Sequence, residues 1–597
     1  LPFDGSRRLT GSNLFFATTG AVLETLGVEV DPTLQAEWRS RVARARASLR
    51  WPDDPASIVA RRHSVGASLA IAAPLDQLFT ATEVNEWALC ASLVAADPVR
   101  WSYLEGALVA AARAAAEQSS MSAAFAVALP VIHEHAAFAR FAKLSDIEGS
   151  PRLGALVAEA HSRALLVLVD DDCLTLGSGV GGRTWPLDAL PDVEQVPWNE
   201  LRNVPTAIVT GSNGKTTTVR LLAACARAQG WRDGYNCTDG LFVAGEQIER
   251  GDYSGPVGTR TVLRDSRVQA AIIETARGGI LRRGLALQRA RVAVVTNISA
   301  DHFGEYGIDD LAGLADTKLV VASAIDDRGL LVLNADDATL RSRADQFTCP
   351  LGWFSRNYDD ALLLSHRMKG GSTSGVRNGR LIVSWARDSA AEEFDLGAVA
   401  DMPLTVDGTA DYNIQNVAGA ALAALGLGVS AATVAAVFAQ FGADPTDNPG
   451  RLMRYEHRGA QVLIDYAHNP DGLRGLLNVA TRLRRTGRIA LLLGQAGNRS
   501  NADMEELAAT AARFRPDLVV VKETESYMRG RAPGEVPAIL RNGLLRAGLL
   551  ETSIEVHLSE LGAVNRALAW ARPGDVLVMP VHDRGVRDQV LALLSQG

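Results

Sequence analysis

Cysteine is scarce: the 597 residues contain five, at Cys90, Cys173, Cys225, Cys237 and Cys349. They are widely scattered and form no CxxC pair, which argues against a structural zinc site. A sparse, odd-numbered set excludes a disulfide scaffold and suits a reducing cytosol. No apolar run is long enough to cross a bilayer before charge breaks it. The start at Leu1 shows no signal-peptide pattern, so a cytoplasmic protein without membrane segments is expected. One-sided charge is also lacking. Lys and Arg number 60 against 68 Asp and Glu, leaving −8, which argues against a polycation that coats nucleic acid. There is no internal repeat and no nucleic-acid-binding motif.

What the chain has is apolar mass: 47% hydrophobic against 21% charged residues, enough for large cores. The length suggests about three to four domains. Residues 1–195 are Ala-rich and mainly helical in pattern. Leu104–Gln118 is a strong helix former. Arg39, Arg41, Arg44, Arg46 and Arg50 crowd another helix, either a solvated face or a platform for an anionic chain. Ala164–Val169 reads as a strand, and Gly177–Gly182 as a hairpin turn. Residues 196–448 alternate strand, loop and helix, with Thr206–Val209, Ala270–Ile273 and Val292–Thr296 as central strands of a parallel sheet. Gly370–Gly375 and the Asn378-Gly379 turn read as an inserted hairpin. Pro449-Gly450 marks a boundary. Beyond it Val462–Tyr466, Ile489–Leu493, Leu518–Val521 and Val576–Met579 are further strands. The expected fold class is α/β. It comprises a mainly helical N-terminal domain (1–195), a central phosphate-loop domain with a parallel sheet (196–448) and a smaller C-terminal α/β domain (449–597).

The sharpest local signal is the run from Ala207 to Thr218. A β-rich stretch enters the turn Gly211-Ser212-Asn213-Gly214, followed by Lys215-Thr216-Thr217 and a helix. Unpaired N–H groups at a helix start, with the helix dipole behind them, form an anion site. Gly211 and Gly214 allow close backbone approach, Lys215 can reach the terminal phosphates, and the Thr216 hydroxyl can ligate Mg²⁺. The spacing is not the full GxxxxGK[ST] pattern, because Val209 stands at its first glycine. Glu274 just after one strand, and His302 after the next, would converge on the same metal, since ligands sit at the carboxyl ends of strands in open α/β sheets.

These residues resemble the Mur ligase family, on its cyanophycin synthetase side. The matching text is Gly211–Thr216, Tyr253-Ser254-Gly255-Pro256, Glu274-Thr275-Ala276-Arg277-Gly278-Gly279-Ile280-Leu281-Arg282-Arg283-Gly284, Asn297-Ile298 and Asp301-His302-Phe303-Gly304. Asn413, Asn416, Gly450-Arg451, Asp465–Pro470 and Arg529-Gly530-Arg531 follow in order. Arg7–Leu14 is similar to the opening segment on that side of the family. Ser212 stands where the family usually has Thr.

The resemblance implies an ATP- and Mg²⁺-dependent amide ligase that works through an acyl phosphate. Gly211, Ser212, Asn213, Gly214, Lys215, Thr216 and Thr217 would hold phosphates. Thr216, Glu274 and His302 would organise the metal. Asn416, with Asn413, would touch adenine, and Arg451 and Asp465 would bind nucleotide across the domain junction. Lys318 stands where many Mur ligases carry a carbamylated lysine, with a solvent-facing lysine as the alternative. Arg277, Arg282 and Arg283 are candidates for an acidic acceptor, because Arg reads carboxylates bidentately; structural ion pairs are the alternative. His468, Glu523, Glu525, Arg529 and Arg531 are candidates for the incoming amino acid, with surface ion pairs as the alternative. The expected reaction joins an aspartate-type carboxylate on an acidic peptide or amino acid to an amine such as arginine. A Mur-type ligase for another small acid, or a non-catalytic ligase-like subunit, are the alternatives. A homo-oligomer is left open. The 195 residues before the ligase region leave no room for the additional ATP-grasp domain of that side of the family, so a self-sufficient polymer synthetase is not expected.

Overall fold

The structure, a computed structural model, describes residues 1–118, 130–300, 303–387 and 390–595. Asp301 and His302 lie outside the described residues.

Short, buried, mostly apolar runs form the middle strands of a central sheet of 11 strands. The strands from Asp233–Cys237 through Ala270–Glu274, Thr206–Thr210, Val292–Val295, Leu330–Asn334 and Leu351–Ser355 to Ser372–Arg377 run parallel. Alternation divides their side chains between two cores. Ala207 and Val209 face the core of the helices Lys215–Ala228 and Asp411–Leu427. Ile208 faces the core of the helices Pro256–Arg264, Arg277–Arg283 and Leu311–Leu319. Asp411–Leu427 is apolar on nearly every side and buried accordingly.

The segment read as an inserted hairpin does form one, and it extends this sheet. Ser372–Arg377 pairs in parallel with Leu351–Ser355 and antiparallel with Arg380–Arg387, and Ala390–Ala398 adds the edge. Asn378 and Gly379 turn with φ of 52° and 74°, as a two-residue type I′ connection requires.

A second sheet of six strands follows, in the order Met453–His457, Ala460–Asp465, Val576–Pro580, Ile489–Leu493, Leu518–Lys522, Ile554–His557. All neighbours are parallel except the first hairpin. Helices Pro470–Leu483, Asn501–Arg513 and Glu535–Arg546 cover one face, and Glu560–Trp570 and Arg584–Ser595 the other.

The N-terminal region is mainly helical, but its helices rest on a four-stranded antiparallel sheet that the sequence pattern hid. The order is Phe3–Leu9, Gly20–Thr25, Gly66–Ala72, Ile58–His63. Gly66–Ala72 sets Leu69 and Ile71 among five small residues and Phe3–Leu9 is largely polar, so neither is rich in strand-favouring residues. Helices Pro32–Ser48, Leu78–Ala96 and Glu134–Glu148 pack on it. Four of the five arginines in and after the arginine-rich helix have structural partners, and Arg50 is exposed. Arg44 and Arg41 pair with Glu134, Arg39 caps the Ile58 carbonyl, and Arg46 is buried on the carbonyls of Ala72 and Pro52. The glycine turn at Gly177–Gly182 joins the strands Cys173–Leu176 and Arg183–Pro186 of a small three-stranded sheet. Among the described residues no helix is long and apolar enough to cross a membrane.

Candidate active site

Thr206–Thr210 lies between Ala270–Glu274 and Val292–Val295 in the sheet, so chain order reverses there and a crevice opens at the strand ends. The loop Gly211–Gly214 fills that crevice and caps the helix Lys215–Ala228. Gly214 is the N-cap, with φ of 83°. A Cβ on Gly214 would lie 2.3 Å from Asn416 Oδ1, and one on Gly211 1.8 Å from Thr296 Oγ1. Glycine is thus required twice, for conformation and for space.

The segment after Val292–Val295 holds the loop. Asn297 Oδ1 accepts the Asn213 N–H at 2.9 Å, and Thr296 Oγ1 donates to the Asn213 carbonyl at 2.6 Å. Ser212 Oγ donates to the Ser299 carbonyl and accepts the Ser299 N–H, both at 3.0 Å. Serine therefore does here the hydrogen bonding that threonine would do. Lys215 Nζ folds back onto the carbonyls of Gly211 and Ser212, at 3.0 and 3.1 Å. Lys318 is buried, not solvent-facing, and its Nζ donates to the Gly211 carbonyl at 2.9 Å.

Glu274 is fully buried. Thr216 Oγ1 donates to one carboxylate oxygen at 2.8 Å and Thr238 Oγ1 to the other at 3.0 Å. Burial pushes its pKa up, against the opposing pull of Lys215. A buried carboxylate whose partners among the described residues are hydroxyls is an oxygen donor set that suits a hard cation such as Mg²⁺. Among the described residues no group of three or more His, Cys, Asp or Glu gathers as a further metal site.

A cavity of about 1180 Å³ opens from this loop, and all three regions of the chain line it. That is roughly the upper end of small-molecule sites, with room for a nucleotide and a second substrate. Lys215, Thr216, Glu274, Arg277, Arg282, Asn413, Asn416, Arg451, Asp465, His468 and Arg529 are on its wall. Arg277 pairs with Glu305 at 2.5 Å. Asn416 donates to Asn413 Oδ1 at 3.0 Å while it abuts Gly214. His468 Nδ1 is 3.1 Å from the Tyr466 carbonyl.

Four sequence candidates lie elsewhere. Arg283 is off the cavity wall, where its carbonyl accepts the Thr10 N–H and its charge sits beside Arg8 and Asp171. Arg531 is a structural clamp on Gly497, Arg499, Asn501 and Glu535. Glu523 is buried and accepts the Gly534 N–H at 2.9 Å. Glu525, also off the wall, is exposed.

Asp239 is a centre that sequence reading missed. It follows Thr238 in the turn after Asp233–Cys237 and faces four arginines. Arg220 is at 2.8 Å, Arg587 at 3.4 Å, Arg584 at 3.7 Å and Arg451 at 3.8 Å. Burial raises the Asp239 pKa, but the four charges outweigh it and bring it down to about 2. Arg451 in turn stacks 4.7 Å over the Tyr466 ring. Burial would weaken its charge, but Asp239 and Asp465 hold its pKa above the ordinary value. Burial raises the Asp465 pKa, although Asp465 accepts the Leu452 N–H at 2.7 Å.

Residues 209–424 match the Mur ligase middle domain and residues 450–580 the Mur ligase glutamate ligase domain. The chain belongs to the Mur ligase family. Cyanophycin synthetase of Synechocystis sp. is 35% identical over 381 residues, which are 63% of this chain and 42% of that protein. The chain thus spans less than half the length of these relatives. The UDP-N-acetylmuramoyl-L-alanyl-D-glutamate–2,6-diaminopimelate ligase of Xanthomonas oryzae is 26% identical over 62% of this chain and 70% of that enzyme. Among solved structures, E. coli FolC in complex with DHPP and ADP aligns at 19% identity and a TM-score of 0.44, over 66% of this chain and 89% of that one. Within this Mur ligase, the matched middle domain contains the phosphate loop and the matched C-terminal domain contains Asp465 and His468.

Proposed function

We propose that this Mur ligase is an ATP- and Mg²⁺-dependent carbon–nitrogen ligase, joining the carboxylate of an acidic amino acid or peptide to an amino acid amine. The observation that carries this reading is the meeting of phosphate loop, buried Glu274 and cavity-facing arginines in one cavity.

The acid's carboxylate takes the γ-phosphoryl group of ATP, ADP leaves, and an acyl phosphate results. The amine then attacks the acyl carbon and phosphate departs. Lys215 and the loop N–H groups would hold the phosphoryl oxygens as charge moves through them, which is where most stabilisation is needed. Lys215 is poised for this, since its Nζ rests on the loop carbonyls of Gly211 and Ser212. Thr216 and Glu274 would hold Mg²⁺, which supplies charge neutralisation at the phosphates. Asn413 and Asn416 would contact the nucleotide beside the loop. Arg451 and Asp465 would reach it across the domain junction. Arg277 and Arg282 would orient the acid, and His468 and Arg529 would face the amine. Lys318 would keep the Gly211 carbonyl in place.

We assign an aspartate-type carboxylate and an amine such as arginine as substrates. The arginines on the cavity wall support the first, and the likeness to cyanophycin synthetases supports both. A cytoplasmic setting fits the five unpaired cysteines. The test is an ADP-release screen over acid–amine pairs with mass spectrometry of the product. Activity confined to acids without an aspartate-type group would overturn the substrate assignment. Nucleotide binding without release under any pair would favour a non-catalytic subunit.

A further inference from the structure

The N-terminal strand Phe3–Leu9 reaches the cavity through an irregularity. Asp4 pairs with Glu24, yet Arg7 pairs with Val22, so Gly5 and Ser6 hold one residue more than their partner strand. Gly5 has φ of 57°. A bulge of this kind re-aims the side chains that follow it. Beyond it, alternation sends neighbours to opposite faces. Arg8 forms two hydrogen bonds to Asp171, at 2.9 and 3.1 Å, while Arg7 lines the cavity.

The strand cannot drift from the site. The Thr10 N–H donates to the Arg283 carbonyl and the Leu285 N–H to the Ser12 carbonyl, both at 2.7 Å. A Cβ on Gly11 would come within 2.0 Å of the Leu285 carbonyl oxygen. Arg7 is therefore held in register with the helix Arg277–Arg283, whose Arg277 and Arg282 line the same cavity.

Arg7 is only partly used. Its side chain is 10% exposed and Nη2 pairs with Glu24 at 2.5 Å. Its guanidinium carbon lies 4.5 Å from the centre of the Tyr306 ring. Nε and Nη1 are buried without hydrogen-bond partners among the described residues. Buried donors are nearly always satisfied, and a guanidinium offers donors only, in a planar array that fits carboxylates.

We propose that Arg7 binds a second, unactivated carboxylate of the acid substrate, so that the N-terminal sheet forms part of the acid subsite and selects acids with two or more carboxylates. This rests on the ligase reading above. One carboxylate lies at the phosphate loop and reacts. The other accepts from an unpartnered N–H of Arg7, in the cavity that Arg277 and Arg282 also line. Glu24 and Tyr306 fix the guanidinium plane, so Arg7 acts in binding and not in the chemical step.

The test takes the acid turned over fastest in the ADP-release screen and compares wild type with Arg7→Lys and Arg7→Met. Arg7→Lys keeps a charge beside Glu24, so it preserves the fold while losing the planar donors. The expected result is an acid with at least two carboxylates, whose KM rises about tenfold or more in both variants, with kcat and the KM values for ATP and amine nearly unchanged. Blocking the second carboxylate as an amide should cost wild type as much and Arg7→Lys little more. An unchanged acid KM in Arg7→Lys, or an equal rise in the KM for ATP, overturns the proposal. If wild type turns over no pair, the ligase reading has failed. The subsite is then read by calorimetric titration with N-acetyl-aspartate and tri-aspartate. Binding to wild type that Arg7→Lys loses upholds it, and no binding to wild type overturns it.

Discussion

Asn469 Nδ2 donates to Asn213 Oδ1 at 2.9 Å, so the start of a C-terminal helix touches the phosphate loop directly. The same Asn469 caps its own helix, accepting the Gly472 N–H at 2.8 Å. Asn469→Asp keeps the cap, because Asp is as good an N-cap as Asn, but removes the donor to Asn213. Its melting temperature should stay near wild type while ADP release falls several-fold. Full activity in that variant would show that the contact does not matter to the reaction.

Lys215→Ala should abolish turnover and leave the fold intact. Its partners in this structure are carbonyls of its own loop, which can turn to water. Loss of one preorganised donor to a transition-state charge costs about 10²–10³ in rate. Steady-state ADP release and thermal unfolding on the same preparation check both halves. Substrate-dependent phosphate release at the normal rate would refute the role of the loop lysine.

Asp239 ties the central sheet to Arg584 and Arg587 of the last helix. Its folded pKa of about 2 lies below its ordinary value of 3.8. A depressed carboxylate pKa contributes stability that is present in full above the ordinary value and is lost as pH falls toward 2. The contribution is about 2 kcal/mol. Asp239→Asn should destabilise the protein at pH 7 and flatten its acid unfolding between pH 4 and 2. Denaturant titrations across that range are the measurement, and parallel curves for both proteins would refute the assignment.

Lys522 and Glu560 form an ion pair with both side chains fully buried. The Glu560 carboxylate also accepts the N–H groups of His582 and Asp583, each at 2.9 Å, and His582 Nε2 is 3.0 Å from the Ala467 carbonyl. His582 stays neutral, because burial and then Lys522 push its pKa well down. Lys522→Met leaves Glu560 charged and unpaired, and should cost about 3–5 kcal/mol. Lys522→Met with Glu560→Gln should recover much of that loss. Chemical denaturation of the three variants decides, and no recovery in the double variant would mean that packing, not charge, sets the cost.

How much was legible followed from distance along the chain. The strand–loop–helix at Thr206–Ala228 could be read directly because its chemistry is local. Glycine at 211 and 214, lysine at 215 and threonine at 216 lie within six consecutive residues. Glu274 was legible as a carboxylate ending a buried strand. The Gly66–Ala72 strand was not legible, since five of its seven residues are small and take strand character from the neighbours they pack against. Arg283 and Arg531 looked like substrate ligands by residue type, but their placement gives them structural partners.

By itself, the sequence determined the parallel sheet, the phosphate loop and the membership of the central and C-terminal regions in one family, because each rests on patterns a few residues long. Only the tertiary structure decided what gathers around them. Asp239 collects four arginines from the phosphate-loop helix, the domain junction and the last helix. Arg7 arrives at the cavity through a one-residue bulge. Lys318 turns inward to the Gly211 carbonyl. In each case the partners are held by packing of distant elements, and no local spacing encodes which charges will share a buried space.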